Sequence, residues 1–210
     1  MQATFTFVDL AGFTALTETH GDEAAAALIE RFGRLVTNAL ANEARLVSMV
    51  GDGAFLVAAG PPEAVRVLGR LLRLLEGEHE FPMLRAGLHH GEAAERAGQF
   101  YGNAVNIAAR IAGYARGGQV LCSKSVVAAA RAAGVSAQSV GRVSLKNLRE
   151  PLELFALGLA SADVTDPIDP VCRMRVRREQ AGAHLELGGT EYWFCSPECL
   201  RVFLRDAGPA

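Results

Sequence analysis

The sequence predicts a mixed α/β sandwich followed by a small cysteine-rich module. Three observations carry this. Strand-like and helix-like stretches alternate up to about residue 160, a Ser/Asp/Thr/Pro-rich stretch then interrupts them, and three of the four cysteines lie beyond residue 170. With 210 residues, half of them hydrophobic and 21% charged, the chain can bury one ordinary core and carry an appendage.

The elements follow in order. Residues 4–10 are β-rich and carry the carboxylate Asp9 near their end. Residues 22–40 place Leu28, Ile29, Phe32, Leu35, Val36 and Leu40 at helical spacing. Residues 45–50 and 54–59 read as two strands joined by Gly51-Asp52-Gly53, a hairpin signal. Residues 63–76 form a second amphipathic helix, opened by Pro61-Pro62. A strand over 84–90, a helix over 103–115, a short strand over 119–123 and a helix over 125–133 come next, then strands near Val140 and over 152–157. The order β-α-β-β-α-β with further additions predicts helices on one face of a sheet. The expected organisation is a larger α/β domain over 1–158, a linker over 159–167 and a module over 168–210. The last segment is too short for a self-sufficient core and needs a staple, which its thiols can provide.

Composition excludes several function classes. Lys plus Arg is 21 and Asp plus Glu is 23, a formal charge of −2, so binding of nucleic acid by bulk charge is not expected. No apolar run approaches the roughly 18 residues of a membrane span. The N-terminus lacks the layout of a secretory signal, so the expected location is the cytoplasm. In that reducing compartment, clustered thiols point to a metal ahead of disulfides.

Asp9 closes an apolar strand and Asp52 sits at a glycine-flanked hairpin tip. If adjacent strands bring them together they repel unless a cation lies between them, which is the protein's usual share of a two-metal phosphoryl-transfer site. Gly12 lets backbone approach a ligand, and a helix starting there would aim free N–H groups at an anion. Asn106 and Arg110, four apart, share one helical face and could present a hydrogen bonder and a fixed cation to a phosphate. His89, His90 and the lone Cys122 read as scaffold, and Arg173, Arg175, Arg177 and Arg178 as a solvated face.

The ordered series FVDLAGFT, VGDG, GLHHGE, YGNAVNIAARI and GRVSLKNLREPLELFAL resembles the class III nucleotidyl cyclase catalytic domain. The resemblance implies a ferredoxin-like core and two Mg²⁺ or Mn²⁺ ions held by Asp9 and Asp52. It implies a phosphate-facing turn at Gly12, Phe13 and Thr14, with Asn106 orienting the ribose, Arg110 stabilising charge on the α-phosphate and Lys146 meeting the triphosphate. The substrate would be ATP or GTP, the products a 3′,5′-cyclic nucleotide and pyrophosphate, and the active unit a homodimer with sites shared between chains. At the base-reading positions, adenylate cyclases place a lysine and an aspartate; Ser48 and Gln99 stand there instead. With no carboxylate to meet guanine's N–H donors, the reading leans to ATP. Those two substitutions also leave open a catalytically inactive relative that dimerises or binds nucleotide while the tail handles metal, and a third reading is metal storage or delivery with the large domain as a dimerisation scaffold.

In the tail, Cys172, Cys195 and Cys199 are spaced Cys-x22-Cys-x3-Cys. Three soft ligands suit Zn²⁺ or another soft metal such as Cu(I), and tetrahedral zinc needs a fourth. Asp169 and His184 are both candidates. The runs DPVCRM and YWFCS resemble the YHS/TRASH-type metal-binding module, which has glycine where Arg173 stands. A structural site, a metal-sensing site that tunes the cyclase, and a redox or degenerate role all fit.

Overall fold

The structure, a computed structural model, describes residues 1–78, 80–159 and 166–206. Most of the expected linker, residues 160–165, therefore lies outside the described residues. A seven-stranded sheet organises the molecule, built from β1 (Gln2–Leu10), β2 (Ala44–Val50), β3 (Gly53–Ala58), β4 (Leu84–Glu92), β7 (Val120–Ser123), β8 (Ala137–Val143) and β9 (Leu152–Leu157). The spatial order is β2-β3-β1-β4-β7-β9-β8. Between these strands come α1 (Phe13–His20), α2 (Asp22–Leu40), α3 (Pro61–Glu76), α4 (Asn103–Tyr114) and α5 (Lys124–Ala132). A short hairpin, β5 (Ala94–Arg96) and β6 (Gln99–Tyr101), leads into α4.

β1 is apolar on both faces because it is central, paired antiparallel to β3 on one side and β4 on the other. Side chains alternate across a strand, so Val8 and Leu10 join Leu56, Leu88 and the apolar stripes of α2, α3 and α5. Ala3 and Phe5 point the other way and join Phe55, Val57, Ala104, Val105 and Ala108. The helices therefore do not all lie on one face, as the element order led us to expect. A strand with two apolar faces needs cover on both, and α4 supplies the second. Its close approach depends on Gly87, where a Cβ would stand 2.1 Å from the Ala112 backbone nitrogen and 2.7 Å from the Ala108 carbonyl oxygen.

The C-terminal residues form β10 (Ala183–Leu187), β11 (Thr190–Phe194) and α6 (Pro197–Asp206). Phe203 touches the rings of Tyr192 and Phe194 at 4.8 and 5.4 Å, a small aromatic cluster of the module's own. Yet Cys172, Met174, Phe194 and Cys199 are buried in the same core as Leu16, Leu28, Phe32 and Phe81. The module also adds an isolated bridge just ahead of β4, pairing Met174 with Pro82.

Candidate active site and metal centre

β1, β3 and β4 set the first site. Asp9 lies opposite Gly53 in one register and opposite Arg85 in the other. The Arg85 Nε donates to Asp9 Oδ2 at 2.6 Å, and Nη2 reaches the same oxygen. Gly53 leaves room for Asp9, whose Oδ1 would stand 3.6 Å from a Cβ there. Asp52, at the hairpin tip, is half-buried beside Asp9. Burial first, and the Asp9 charge second, push its carboxyl up to about 6. The two acids that the sequence places on separate strands thus share one electrostatic environment, and hard carboxylate oxygens of this kind suit Mg²⁺ or Mn²⁺.

Asp9 lines a cleft of about 290 Å³ together with Phe7, Ser48, Val50, Phe55 and, from α4, Ala109 and Ala112, while Asp52 stands at the neighbouring hairpin tip. Ser48 follows the irregularity in the β2–β3 register, which turns it toward the cleft wall. Phe7 and Phe55 stack at 4.4 Å and floor it. Gly12 takes a left-handed conformation, φ 78°, and starts α1, whose first residues are Phe13 and Thr14. Asn106 and Arg110 are exposed on α4 and do not line this cleft, which meets α4 at Ala109, Ala112 and Gly113. Lys146 is exposed on the turn after β8, and Gln99 is exposed at the start of β6. Within one chain, then, the structure unites Asp9, Asp52 and Ser48 and leaves Asn106, Arg110, Lys146 and Gln99 outside the group.

The other residues singled out in the sequence are occupied elsewhere. His89 Nδ1 meets Ser123 Oγ at 2.6 Å, and burial lowers its pKa to about 4. His90 Nδ1 meets Thr4 Oγ1 at 3.0 Å. Cys122 is fully buried, which pushes its thiol up to about 12. Arg178 lies 5.0 Å over the Trp193 ring and bonds Glu191.

The second site gathers Cys172, Cys195 and Cys199 with His20, their ligand atoms all within 4.8 Å of one another. Neither fourth ligand expected from the tail takes part. The Asp169 carboxylate, fully buried, accepts the N–H groups of Val171 at 2.8 Å, Cys172 at 3.2 Å and Cys195 at 2.9 Å. It orders the cysteine loops from behind. His184 stacks on Trp193 at 4.2 Å and lies 3.6 Å from Glu191. Arg173 adopts φ 62° where the resembled module has glycine, so the turn forms with a left-handed non-glycine residue.

Two residues were missed. Arg85 sits in a strand that also holds His89, His90 and Glu92, and only the β1–β4 register shows that it faces Asp9. His20 has no local signal, since it lies far upstream of the cysteines.

Residues 1–158 match the adenylate and guanylate cyclase catalytic domain family, and residues 167–207 match the YHS domain. The chain belongs to the adenylate and guanylate cyclase family. A pH-sensitive adenylate cyclase of Mycobacterium tuberculosis is 34% identical over 158 residues, covering 73% of this chain and 40% of that protein. The cyclase-family chain thus spans less than half of that relative's length. An adenylate cyclase of Trypanosoma brucei, solved in its monomeric state, superposes with a TM-score of 0.67 at 21% identity, covering 84% of this chain and 94% of its own. A dimeric guanylyl cyclase domain of Blastocladiella emersonii superposes at 0.64 with 15% identity, covering 74% and 95%. Both show the cyclase fold in this chain. Among the described residues no helix is long and apolar enough to cross a membrane.

Proposed function

We propose that the chain is a nucleotidyl cyclase that converts ATP, in preference to GTP, to a 3′,5′-cyclic nucleotide and pyrophosphate at a site shared by two copies. The observation that carries the reading is the interacting Asp9–Asp52 pair, of which Asp9 lines the cleft. These two carboxylates would hold two Mg²⁺ or Mn²⁺ ions. When bound, the ions supply charge neutralisation on the triphosphate and lower the pKa of the ribose 3′-hydroxyl.

The chain's own groups divide the remaining work. The backbone at Gly12, Phe13 and Thr14 meets phosphate oxygens at the start of α1, where N–H groups lack helical partners. Phe7 and Phe55 offer an apolar floor, and Ser48 supplies the polar group at the cleft wall. Asn106 orients the ribose, Arg110 meets the charge that develops on the α-phosphate, and Lys146 meets the triphosphate, as the family resemblance implies. Because Asn106 and Arg110 project to solvent from their own chain, they serve the Asp9–Asp52 site of a partner. Val50, which lines the cleft and is 78% exposed, is an apolar side chain that such a partner would cover. The ATP preference rests on Ser48, since neither it nor Gln99 is the carboxylate that guanine's paired donors require.

The test is incubation of the full chain with Mn²⁺ and either ATP or GTP, with cyclic product resolved by chromatography and Asp52→Ala alongside. The reading expects cyclic AMP in excess of cyclic GMP, and none from Asp52→Ala. No product from either nucleotide in a dimeric sample would favour a nucleotide-binding relative without activity.

A further inference from the structure

The cysteine cluster is closed by a residue of the catalytic domain. His20 ends α1, the helix that begins directly after Gly12 and so continues from Asp9 through one tight turn. Its Nε2 lies 3.4 Å from Cys195 Sγ and 3.5 Å from Cys199 Sγ. Cys195 Sγ in turn lies 3.4 Å from Cys172 Sγ and 3.6 Å from Cys199 Sγ. With metal–sulfur bonds of about 2.3 Å and metal–nitrogen bonds of about 2.05 Å, a tetrahedral ion sets S···S edges of about 3.8 Å and S···N edges of about 3.6 Å. Four of the six edges are already close to those values, and all six lie within 4.8 Å. Asp169, holding the backbone of both cysteine loops, is the kind of outer partner that fixes ligands in place.

The module reaches the same turn by two other routes. At Gly12, a Cβ would stand 2.5 Å from Arg173 Cγ and 3.1 Å from the Cys172 carbonyl oxygen, so the cysteine loop lies directly on the turn. Met83 links the two segments as well: its N–H donates to the Arg173 carbonyl at 3.3 Å, and its carbonyl accepts the Ala11 N–H at 2.8 Å. Gly12 therefore lies directly against Cys172 and Arg173, and Ala11 is linked to Arg173 through Met83.

We propose that a soft divalent metal of the zinc class, bound by Cys172, Cys195, Cys199 and His20, ties α1 to the module and so fixes the turn at residues 11–14 beside Asp9, making cyclase output depend on occupancy of the module. The ligand assignment stands on geometry alone, whereas its effect on output rests on the cyclase reading above. The metal-loaded chain is the active form: pinning both ends of α1 holds its first N–H groups where phosphates arrive, and about 1 Å of misplacement at such a site costs on the order of 10²-fold in rate.

The test uses the full chain with Zn²⁺ and Co²⁺ as probes. Expected are one ion per chain, a tetrahedral cobalt spectrum with thiolate charge-transfer bands, and an X-ray absorption first shell of three sulfurs and one nitrogen. His20→Ala is expected to lose the nitrogen and weaken Zn²⁺ binding by at least tenfold, while His20→Cys restores four ligands and tight binding. Hydrogen exchange over residues 11–20 should slow on Zn²⁺ loading in the wild type and not in His20→Ala. In saturating Mg²⁺, removal of Zn²⁺ with a soft-metal chelator should lower the rate at least tenfold, and His20→Cys should keep it. Unchanged zinc affinity and first shell in a folded His20→Ala chain would overturn the ligand assignment. Exchange or rate that ignores loading would overturn the coupling. If the loaded wild type makes no cyclic nucleotide, the cyclase reading fails by itself, and the binding and exchange results still decide the assignment of His20.

Discussion

Arg85 and Asp9 stand directly opposite one another on β4 and β1, and the guanidinium grips one carboxylate oxygen through both Nε and Nη2. That pairing places a fixed cation beside two acids that otherwise repel. Opposite charges facing across an antiparallel pair stabilise it, and here the pair also tempers the conflict between Asp9 and Asp52.

Arg85→Gln should therefore destabilise the metal-free protein by about 1–2 kcal/mol, the scale of a lost charge-assisted hydrogen bond. Saturating Mg²⁺ should restore most of the loss, because the ions then neutralise the same carboxylates. Thermal melts with and without Mg²⁺ check this; an equal loss in both would mean that Arg85 acts on packing alone.

Asp52 makes one contribution to the pH dependence of the metal-free state. Its native pKa of about 6 exceeds the unfolded value of about 3.9, so the native state holds this proton more tightly than the unfolded chain. The resulting contribution to stability is fully present below about pH 4 and is lost as pH rises through 6. Asp52→Asn should then make the metal-free protein more stable than wild type at pH 8, by about 1 kcal/mol once solvent screening of a half-exposed group is allowed for. The gain should vanish near pH 4. A variant less stable than wild type at pH 8 would contradict the proposed strain.

Gly87→Ala should cost about 3 kcal/mol, because the new methyl meets backbone atoms of α4 that cannot rotate away. Gly113→Ala, with open space around the new methyl, should be neutral or stabilising by a few tenths of a kcal/mol. Urea denaturation of the two variants side by side separates close packing from helix propensity. Equal stability would show that α4 shifts freely over β4.

These positions also mark what the sequence could and could not reveal. Periodicity made α2 legible to its ends, Asp22–Leu40, and the Gly51-Asp52-Gly53 signal located the β2–β3 hairpin. Periodicity is silent on which side of a sheet a helix packs, so α4 was assigned to the wrong layer. The ordered motifs located Asp9 and Asp52, whose meeting follows from strand pairing. Arg85 needed the β1–β4 register, and His20 needed the tertiary docking of the module on α1. Neither relationship leaves a local pattern. The tail alone offers three thiols, and the fourth group beside them, His20, comes from the other domain.

The proposed shared site is most directly tested by mixing two variants, Asp52→Ala and Arg110→Ala, and assaying cyclic nucleotide formation with Mn²⁺ and ATP. Each variant alone should be inactive, since every site of its homodimer lacks one essential group. An equal mixture forms heterodimers in which one of two sites is intact, and should recover about a quarter of the wild-type rate by statistical pairing. A mixture that stays inactive while heterodimers form would contradict a site built from Asp9 and Asp52 of one chain and Asn106 and Arg110 of the other.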